Sequence, residues 1–331
     1  MKEEKEMKTE VVIVGTGVGG LFCALHLPKT MSVLMISKKE PEESDSFLAQ
    51  GGICVLRDEK DYDSYFEDTM RAGHYENRKE SVDIMIRSSR EVIKELIGFG
   101  VEFASKEGEL LYTREGAHSK PRILYHEDIT GKEITSKLLE EVKRRPNIKI
   151  LSNTTMIDWM IEKEQCRGIV CITEERKEEE IFANQTVLAT GGIGGLYEHS
   201  TNYRHLTGDS ITLAKRYKVR LENLNYVQIH PTTLYSKESG RRFLISESVR
   251  GEGAKLYNAK MERFIDELLP RDIVTEAIYE QMKKDNMPFV WLSMKEIPEE
   301  VILKHFPNIY THCLEKGYDV RKENIPVVPA Q

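Results

Sequence analysis

Cysteine is scarce in this chain, with five among 331 residues, at positions 23, 54, 166, 171 and 313. The number is odd and no two form a Cys-x-x-Cys pair, which argues against a disulfide framework or a thiolate metal site and for reduced thiols in a cytoplasmic protein. Long apolar runs are also missing. No stretch approaches the ~20 residues of a membrane span, so no membrane partner is expected. Positive charge is not in excess either. The net charge of −7 argues against nucleic acid as a partner. Met1 to Glu6 is too charged for a secretory signal peptide and is expected to be a frayed tail. The spacing of His118, His126, His199 and His205 matches no metal-ligand template. No Gly-x-Ser-x-Gly elbow occurs, which argues against a serine hydrolase. Neither an internal repeat nor a low-complexity linker breaks the chain. Its length suits roughly two domains with a large core.

The informative segment lies near the start. Val11 to Val14 is a short apolar run of the kind a buried parallel strand shows. It leads directly into Gly15-Thr16-Gly17-Val18-Gly19-Gly20, and Leu21 to Leu27 then has helical spacing. Strand, Gly-x-Gly-x-x-Gly turn and helix stand in the order that a dinucleotide-binding turn requires. Gly15 allows the tight turn, Gly17 lets the backbone approach a pyrophosphate, and Gly20 lets helix and strand pack closely. The helix N-terminus then offers N–H groups and a partial positive charge to the phosphates.

Val33 to Ile36 continues this as a second buried strand. In many dinucleotide-binding proteins an acidic residue follows this strand and holds the ribose, but here the chain has Ser37-Lys38-Lys39. Helical patterns are expected over about 61–73 and 80–99, the second ending at Gly100. A third is expected to open at Thr130 as N-cap, with Glu133 in the capping-box position. From 147 to 190 the pattern changes to strands, at 148–151, 156–161, 168–173 and 181–189. Within that stretch the run Glu174 to Glu180 is expected to be an exposed hairpin tip. The last strand empties into Gly191-Gly192, a second place where backbone closely approaches a ligand. Past about 224 no β-α-β rhythm remains.

Four segments together carry a family resemblance: Gly15 to Gly20, Ala49-Gln50-Gly51-Gly52-Ile53, Ala189-Thr190-Gly191-Gly192, and Arg250-Gly251-Glu252-Gly253-Ala254. In combination they resemble the flavoprotein family of succinate dehydrogenase, fumarate reductase and L-aspartate oxidase. Three more segments narrow the resemblance to the aspartate oxidases: Thr113-Arg114-Glu115-Gly116-Ala117-His118-Ser119, Gln228-Ile229-His230-Pro231-Thr232, and Pro270-Arg271-Asp272-Ile273-Val274. The resemblance implies an α/β fold. A Rossmann-type FAD-binding domain, with a parallel sheet and an inserted β-hairpin layer, would occupy 1–223, and an α+β capping domain 224–331. It also implies hydride transfer from L-aspartate to FAD, giving iminoaspartate. Oxygen or fumarate would reoxidise the flavin, and quinolinate synthase, in NAD biosynthesis, would use the product.

The resemblance also assigns residues. Thr16, Gly17, Val18, Gly19, Lys38, Asp45, Ser46, Phe47, Leu48, Ala49, Gln50, Gly51, Gly52 and Asp209 match the family's FAD-binding positions, with Met156 on the adenine side. The succinate enzymes attach FAD through a histidine five residues before the glutamine of their Ala-Gln-Gly-Gly segment. Asp45 occupies that position here, so noncovalent FAD is expected. Arg250 and Arg271 can grip carboxylates by forked hydrogen bonds, and His230 and Ser246 can donate others. Arg271 matches the family's proton donor and acceptor. Glu115, which the succinate and fumarate enzymes lack, would pair with a substrate ammonium and so favour an amino acid.

Several positions depart from the pattern. Asp45 replaces a small hydroxyl residue and places a negative charge near phosphate, which weakens FAD binding unless the side chain faces away. Asn225 stands in place of an acidic residue, Ser210 in place of glycine and Ser246 in place of threonine. The family continues after position 331 with a His-Tyr/Phe-x-x-Gly-Gly segment, whose histidine is a substrate ligand, and then with a helical domain. On that comparison the chain is C-terminally truncated and lacks the helical domain, and alone it is expected to hold FAD weakly and turn over little. An inactive or split fragment of such an oxidase is one alternative. A succinate or fumarate flavoprotein is another, opposed by Glu115 and Asp45.

Overall fold

A computed structural model describes residues 7–330, so the tail expected at 1–6 lies outside the described residues. The chain forms two compact units. The first comprises residues 7–48, 134–197 and 202–226, and the second the remainder. The break expected near 224 falls beside the division after Tyr226, but residues 49–133, expected in the N-terminal domain, cluster with residues 227–330. Hydrogen bonds account for this grouping. Ala117 N–H donates to Leu268 O at 3.0 Å, and Thr113 Oγ1 donates to Glu252 Oε1 at 2.8 Å.

The first unit is built on a six-stranded sheet: β1 (Met7–Val14), β2 (Val33–Ile36), β3 (Ile148–Leu151), β4 (Thr155–Glu162), β5 (Gln165–Ile172) and β6 (Glu178–Leu188). Their order is β3-β2-β1-β6-β5-β4, with β3, β2, β1 and β6 parallel and β5 and β4 antiparallel. β1 lies inside this sheet, between β2 and β6, and Val11 to Val14 are all buried. A strand covered on both faces keeps an unbroken apolar run, as β2 also does. The expected β-hairpin layer is not separate, because β4 and β5 extend the same sheet. β6 makes this possible by its length. Its first residues pair with β5 and its later ones with β1, and only Ile181 and Phe182 pair on both sides. The charged run 174–180 is likewise only partly a turn, since Glu178 to Glu180 pair in register with Val170 to Ile172.

In the second unit a four-stranded antiparallel sheet runs in the order Thr233–Leu234, Ile325–Val328, Val290–Ser293, Lys255–Tyr257. Helices Arg271–Asp285, Glu299–His305 and Pro307–Glu315 contribute to its core, in which Leu256, Val274, Ile278, Leu292, Phe306 and Val327 are fully buried. Strand Ile53–Cys54 pairs with Ile123–Leu124, and helices Tyr62–Ala72 and Lys79–Gly98 pack over Leu56, Tyr65 and Ile86. The helix Thr130–Arg144 starts at Thr130, yet its capping box does not form. Thr130 Oγ1 accepts from His126 N–H at 3.0 Å, and Glu133 accepts from Glu102 N–H at 2.9 Å. A competing backbone donor elsewhere in the unit has taken the carboxylate that the local pattern assigned to the cap.

Asp128 caps the N-terminus of helix Pro307–Glu315 from a distant loop, accepting from Asn308 N–H at 3.0 Å and Ile309 N–H at 2.6 Å. Burial pushes its carboxyl up to about 6 despite these donors. The folded chain therefore holds this proton between about pH 4 and 6, where the unfolded chain has released it, so the group's contribution to stability falls as pH rises through that window. Comparison with Asp128→Asn isolates the effect. The parent's unfolding free energy relative to the variant, from urea melts, should decline by on the order of 2 kcal/mol between those pH values. A difference that stays flat would overturn the assignment.

Candidate active site

The first unit carries a cleft where β1 ends. Gly15 has φ +116°, and a Cβ there would stand 2.1 Å from Ala189 O; a Cβ at Gly20 would stand 2.1 Å from Gly15 O. Both positions admit only hydrogen, which is the steric content of the expected turn. The helix Val18–His26 begins at Gly17 with no side-chain cap and no acidic residue in its first turn, and the space over Gly19 is open. A cleft of about 400 Å³ runs from this turn to Asp209. Of the expected cofactor residues, Gly15, Thr16, Gly17, Gly19, Lys38, Asp45, Ser46 and Asp209 line it, as does Met156, which is also a core residue. Val18, Gly20, Phe47 and Leu48 lie in the same turn and loop but are not among the lining residues.

Side chains around the cleft hold one another. Lys38 Nζ donates to His205 O at 2.9 Å and Thr207 Oγ1 at 3.0 Å, and pairs with Asp209 at 2.8 Å. Thr16 Oγ1 donates to Ser37 Oγ at 3.1 Å, and Ser46 Oγ accepts from Val18 N–H at 3.1 Å. Asp45 accepts from Tyr203 N–H at 3.0 Å and from the Asn202 amide. Its negative charge is thus committed to protein donors, which answers the expected conflict with phosphate. An uncapped helix start, a cleft over a glycine turn and a cation at the far side suit the diphosphate and ribose of a dinucleotide.

The second unit carries a buried polar cluster. Glu115 is 9% exposed, and its Oε1 accepts from Ser248 Oγ at 2.7 Å and Gly52 N–H at 3.1 Å. Burial pushes its carboxyl up, helped by the neighbouring charge of Glu247 and opposed by the two donors and by Arg271. Arg271 opens its helix directly after Pro270, and its Nε donates to Glu247 Oε2 at 2.5 Å while Nη1 donates to Gln228 Oε1 at 2.7 Å. Arg250 is 1% exposed. Nη1 donates to Glu267 O at 2.6 Å, Nη2 lies 3.8 Å from Glu247 Oε1, and Nε and Nη2 have no hydrogen-bond partner among the described residues. Burial lowers its affinity for a proton.

His230 is held well below its ordinary range by burial and by the charges of Arg271 and Arg250, so its imidazole is neutral. Its Nδ1 lies 3.1 Å from Thr232 O and 3.2 Å from Thr232 N, so the ring tautomer follows from which of the two it serves. Ser246 caps the short helix Glu247–Gly251, accepting from Ser248 N–H, and its own hydroxyl donates to Ser248 Oγ at 3.2 Å. Gln50 is 6% exposed with an unpartnered Oε1 among the described residues. All five expected catalytic residues, and Ala49 to Gly52, belong to this unit.

Glu247 and Ser248 were not expected from the sequence. Glu247 and Arg250 stand three apart, so one helix face presents both, and that spacing is the signal that was available. Arg122 was also missed. It is fully buried and forked onto Asp61 at 2.9 and 3.0 Å, and it donates to Asp68 Oδ2 at 2.7 Å and to His118 Nδ1 at 3.0 Å. Ser119 N–H and Oγ both donate to the same Asp68 oxygen at 2.7 Å. This clamp closes the base of the loop that carries Glu115.

Comparison with known proteins bears on the family and the cofactor. The family model described as FAD binding domain matches residues 10–331. The chain is 49% identical over 323 residues to the L-aspartate oxidase of Clostridium perfringens, covering 97% of this chain and 73% of that protein. Identity to the L-aspartate oxidase of Pseudomonas aeruginosa is 38% over 343 residues, covering 97% of this chain and 64% of that one. A solved E. coli quinol fumarate reductase superposes with a TM-score of 0.89 at 26% identity, over 98% of this chain and 60% of its own.

Arg122→Met leaves Asp61 and Asp68 buried without their cation and should cost roughly 3–5 kcal/mol of unfolding free energy in urea. Adding Asp61→Asn and Asp68→Asn should recover much of that loss. An unchanged midpoint in the single variant would rule out the clamp as a structural element.

Proposed function

The chain belongs to the FAD-binding flavoprotein family that includes the L-aspartate oxidases, and from that premise we propose that it oxidises L-aspartate to iminoaspartate with noncovalently held FAD. The observation that carries this reading is Glu115, a buried carboxylate in the same cluster as Arg250 and Arg271. The Arg250 guanidinium and the His230 imidazole suit the two carboxylates of a four-carbon diacid, and the extra anion suits an ammonium. Succinate offers Glu115 nothing to pair with and brings it closer to like charge.

The residues divide the work. Arg250 turns its unpartnered Nε and Nη2 to one substrate carboxylate. His230, a neutral imidazole, hydrogen-bonds the other. Glu115 holds the ammonium and so orients the Cα–H bond. Arg271 handles the proton. Its Nε donates to Glu247 Oε2 at 2.5 Å, which fixes the guanidinium beside the substrate nitrogen that loses the proton. FAD, when bound, supplies the hydride acceptor. Gly15 to Gly20, Lys38, Asp45 to Leu48 and Asp209, all in the first unit, would hold it. The five unpaired cysteines support a reducing, cytoplasmic setting. Iminoaspartate would pass to a quinolinate-forming synthase.

Anaerobic titration of the FAD-supplied chain tests the reading. L-Aspartate should bleach the flavin and succinate should not. Bleaching by succinate alone would replace this reading with a succinate dehydrogenase one.

A further inference from the structure

Glu115 is bonded asymmetrically. Oε1 takes both recorded donors, Ser248 Oγ at 2.7 Å and Gly52 N–H at 3.1 Å, while Oε2 accepts from none among the described residues. Ser248 is 4% exposed, and its hydroxyl proton is directed without ambiguity. Ser246 Oγ donates to Ser248 Oγ, and Ser248 Oγ donates onward to Glu115. The Ser246 oxygen in turn accepts Ser248 N–H, so the relay is anchored on the helix that carries Glu247 and Arg250. This hydroxyl joins Thr113 to Glu252 and Ala117 to Leu268 among the contacts that tie the Glu115 loop to the two-arginine side of the cluster.

We propose that Ser248 is a positioning residue for substrate choice: its hydroxyl holds Glu115 Oε1 so that Oε2 is presented to the ammonium of an α-amino dicarboxylate. This rests on the reading of the site given above. The groups whose charges bear on Glu115 come from every neighbouring element. Glu247 and Arg250 lie on the short helix and Arg271 at the head of the next, while Cys54 on its strand is a thiol pushed up to about 11 and therefore neutral. Glu247 and burial favour a proton on Glu115. Ser248 is the largest influence against one, ahead of Gly52 and Arg271. Without the hydroxyl, Glu115 protonates more readily and keeps only Gly52 N–H to direct it, and a protonated carboxyl pairs poorly with an ammonium.

The test compares parent, Ser248→Ala and Ser248→Thr, each supplied with FAD. Calorimetry gives the affinities for L-aspartate and succinate, and kinetics give the pH dependence of kcat/KM for L-aspartate. In Ser248→Ala, aspartate should bind roughly tenfold more weakly or worse, the loss of a hydrogen bond to a charged group. Succinate affinity should hold, and the acidic limb should move to higher pH. Ser248→Thr, which keeps the hydroxyl, should restore both. Equal losses for the two ligands, or an unmoved acidic limb, would overturn the role of Ser248 while leaving the proposed activity intact. A parent chain that does not favour aspartate over succinate would sink the proposed activity, and this inference with it.

Discussion

Glu247 is the constraint around which the second unit is arranged. It is 6% exposed, between Arg271 at 2.5 Å and Arg250 at 3.8 Å. Taking ions out of water costs several kcal/mol each, and pairing offsets that cost only where geometry is good and the remaining donors are met. Here the offset is incomplete by design of the cluster. Among the described residues, Arg250 Nε and Nη2 have no hydrogen-bond partner, and each buried donor left unmet carries a penalty of about 1–3 kcal/mol. On the proposed reading a substrate carboxylate removes that penalty on arrival, and the energy withheld from folding becomes binding energy.

The rest of the unit keeps that cluster from relaxing. Thr113 and Ile123 exchange backbone hydrogen bonds at 2.9 and 3.2 Å, which closes the segment between them into a loop. Arg122 then fastens its base to Asp61 and Asp68, residues that belong to the start and interior of a separate helix. His118 and Ser119 join the same network from within the loop. Glu115 can consequently stay buried although burial disfavours its charge, because its backbone has nowhere else to go. A loop held only by its own turns would swing the carboxylate out to water.

How much of this was legible in the sequence depended on how local its cause was. The turn at Gly15 to Gly20 was read correctly because its glycine spacing marks it in the sequence, although the atom that excludes a side chain at Gly15 is the distant Ala189 O. β2 and β3 match their expected bounds: β2 is a buried run of Val, Leu, Met and Ile, and β3, at the sheet edge, keeps the apolar run but for the exposed Lys149. The helix Lys79–Gly98 was legible by the spacing of Val82, Ile86, Ile93 and Leu96 on its buried face. Failures came where a distant partner outbid a near one. Glu133 left its capping box for Glu102 N–H, and Glu178 to Glu180 were drawn from the turn into a strand by pairing with β5. The grouping of residues 49–133 with the C-terminal part was not legible either. It rests on contacts such as Ala117 to Leu268, about 150 positions apart, which no local pattern encodes. The five expected catalytic residues came from family likeness rather than periodicity, and Ser248, which that likeness did not flag, appeared only once side chains were placed.

The two-residue overlap at Ile181 and Phe182 has a consequence for how this fold accepts change. The parallel strands and the β4–β5 ribbon are stitched together at a single seam, and the cleft is lined by Ala189 and Thr190 just past β6 and by Thr155 and Met156 at the start of β4. The turn at 163–164 lies at the other end of β4, where Glu162 pairs with Gln165, so insertions or deletions there are absorbed before they reach either. That turn is a natural graft point: its length can drift over evolutionary time, or carry a fused peptide, without disturbing the nucleotide-facing rim.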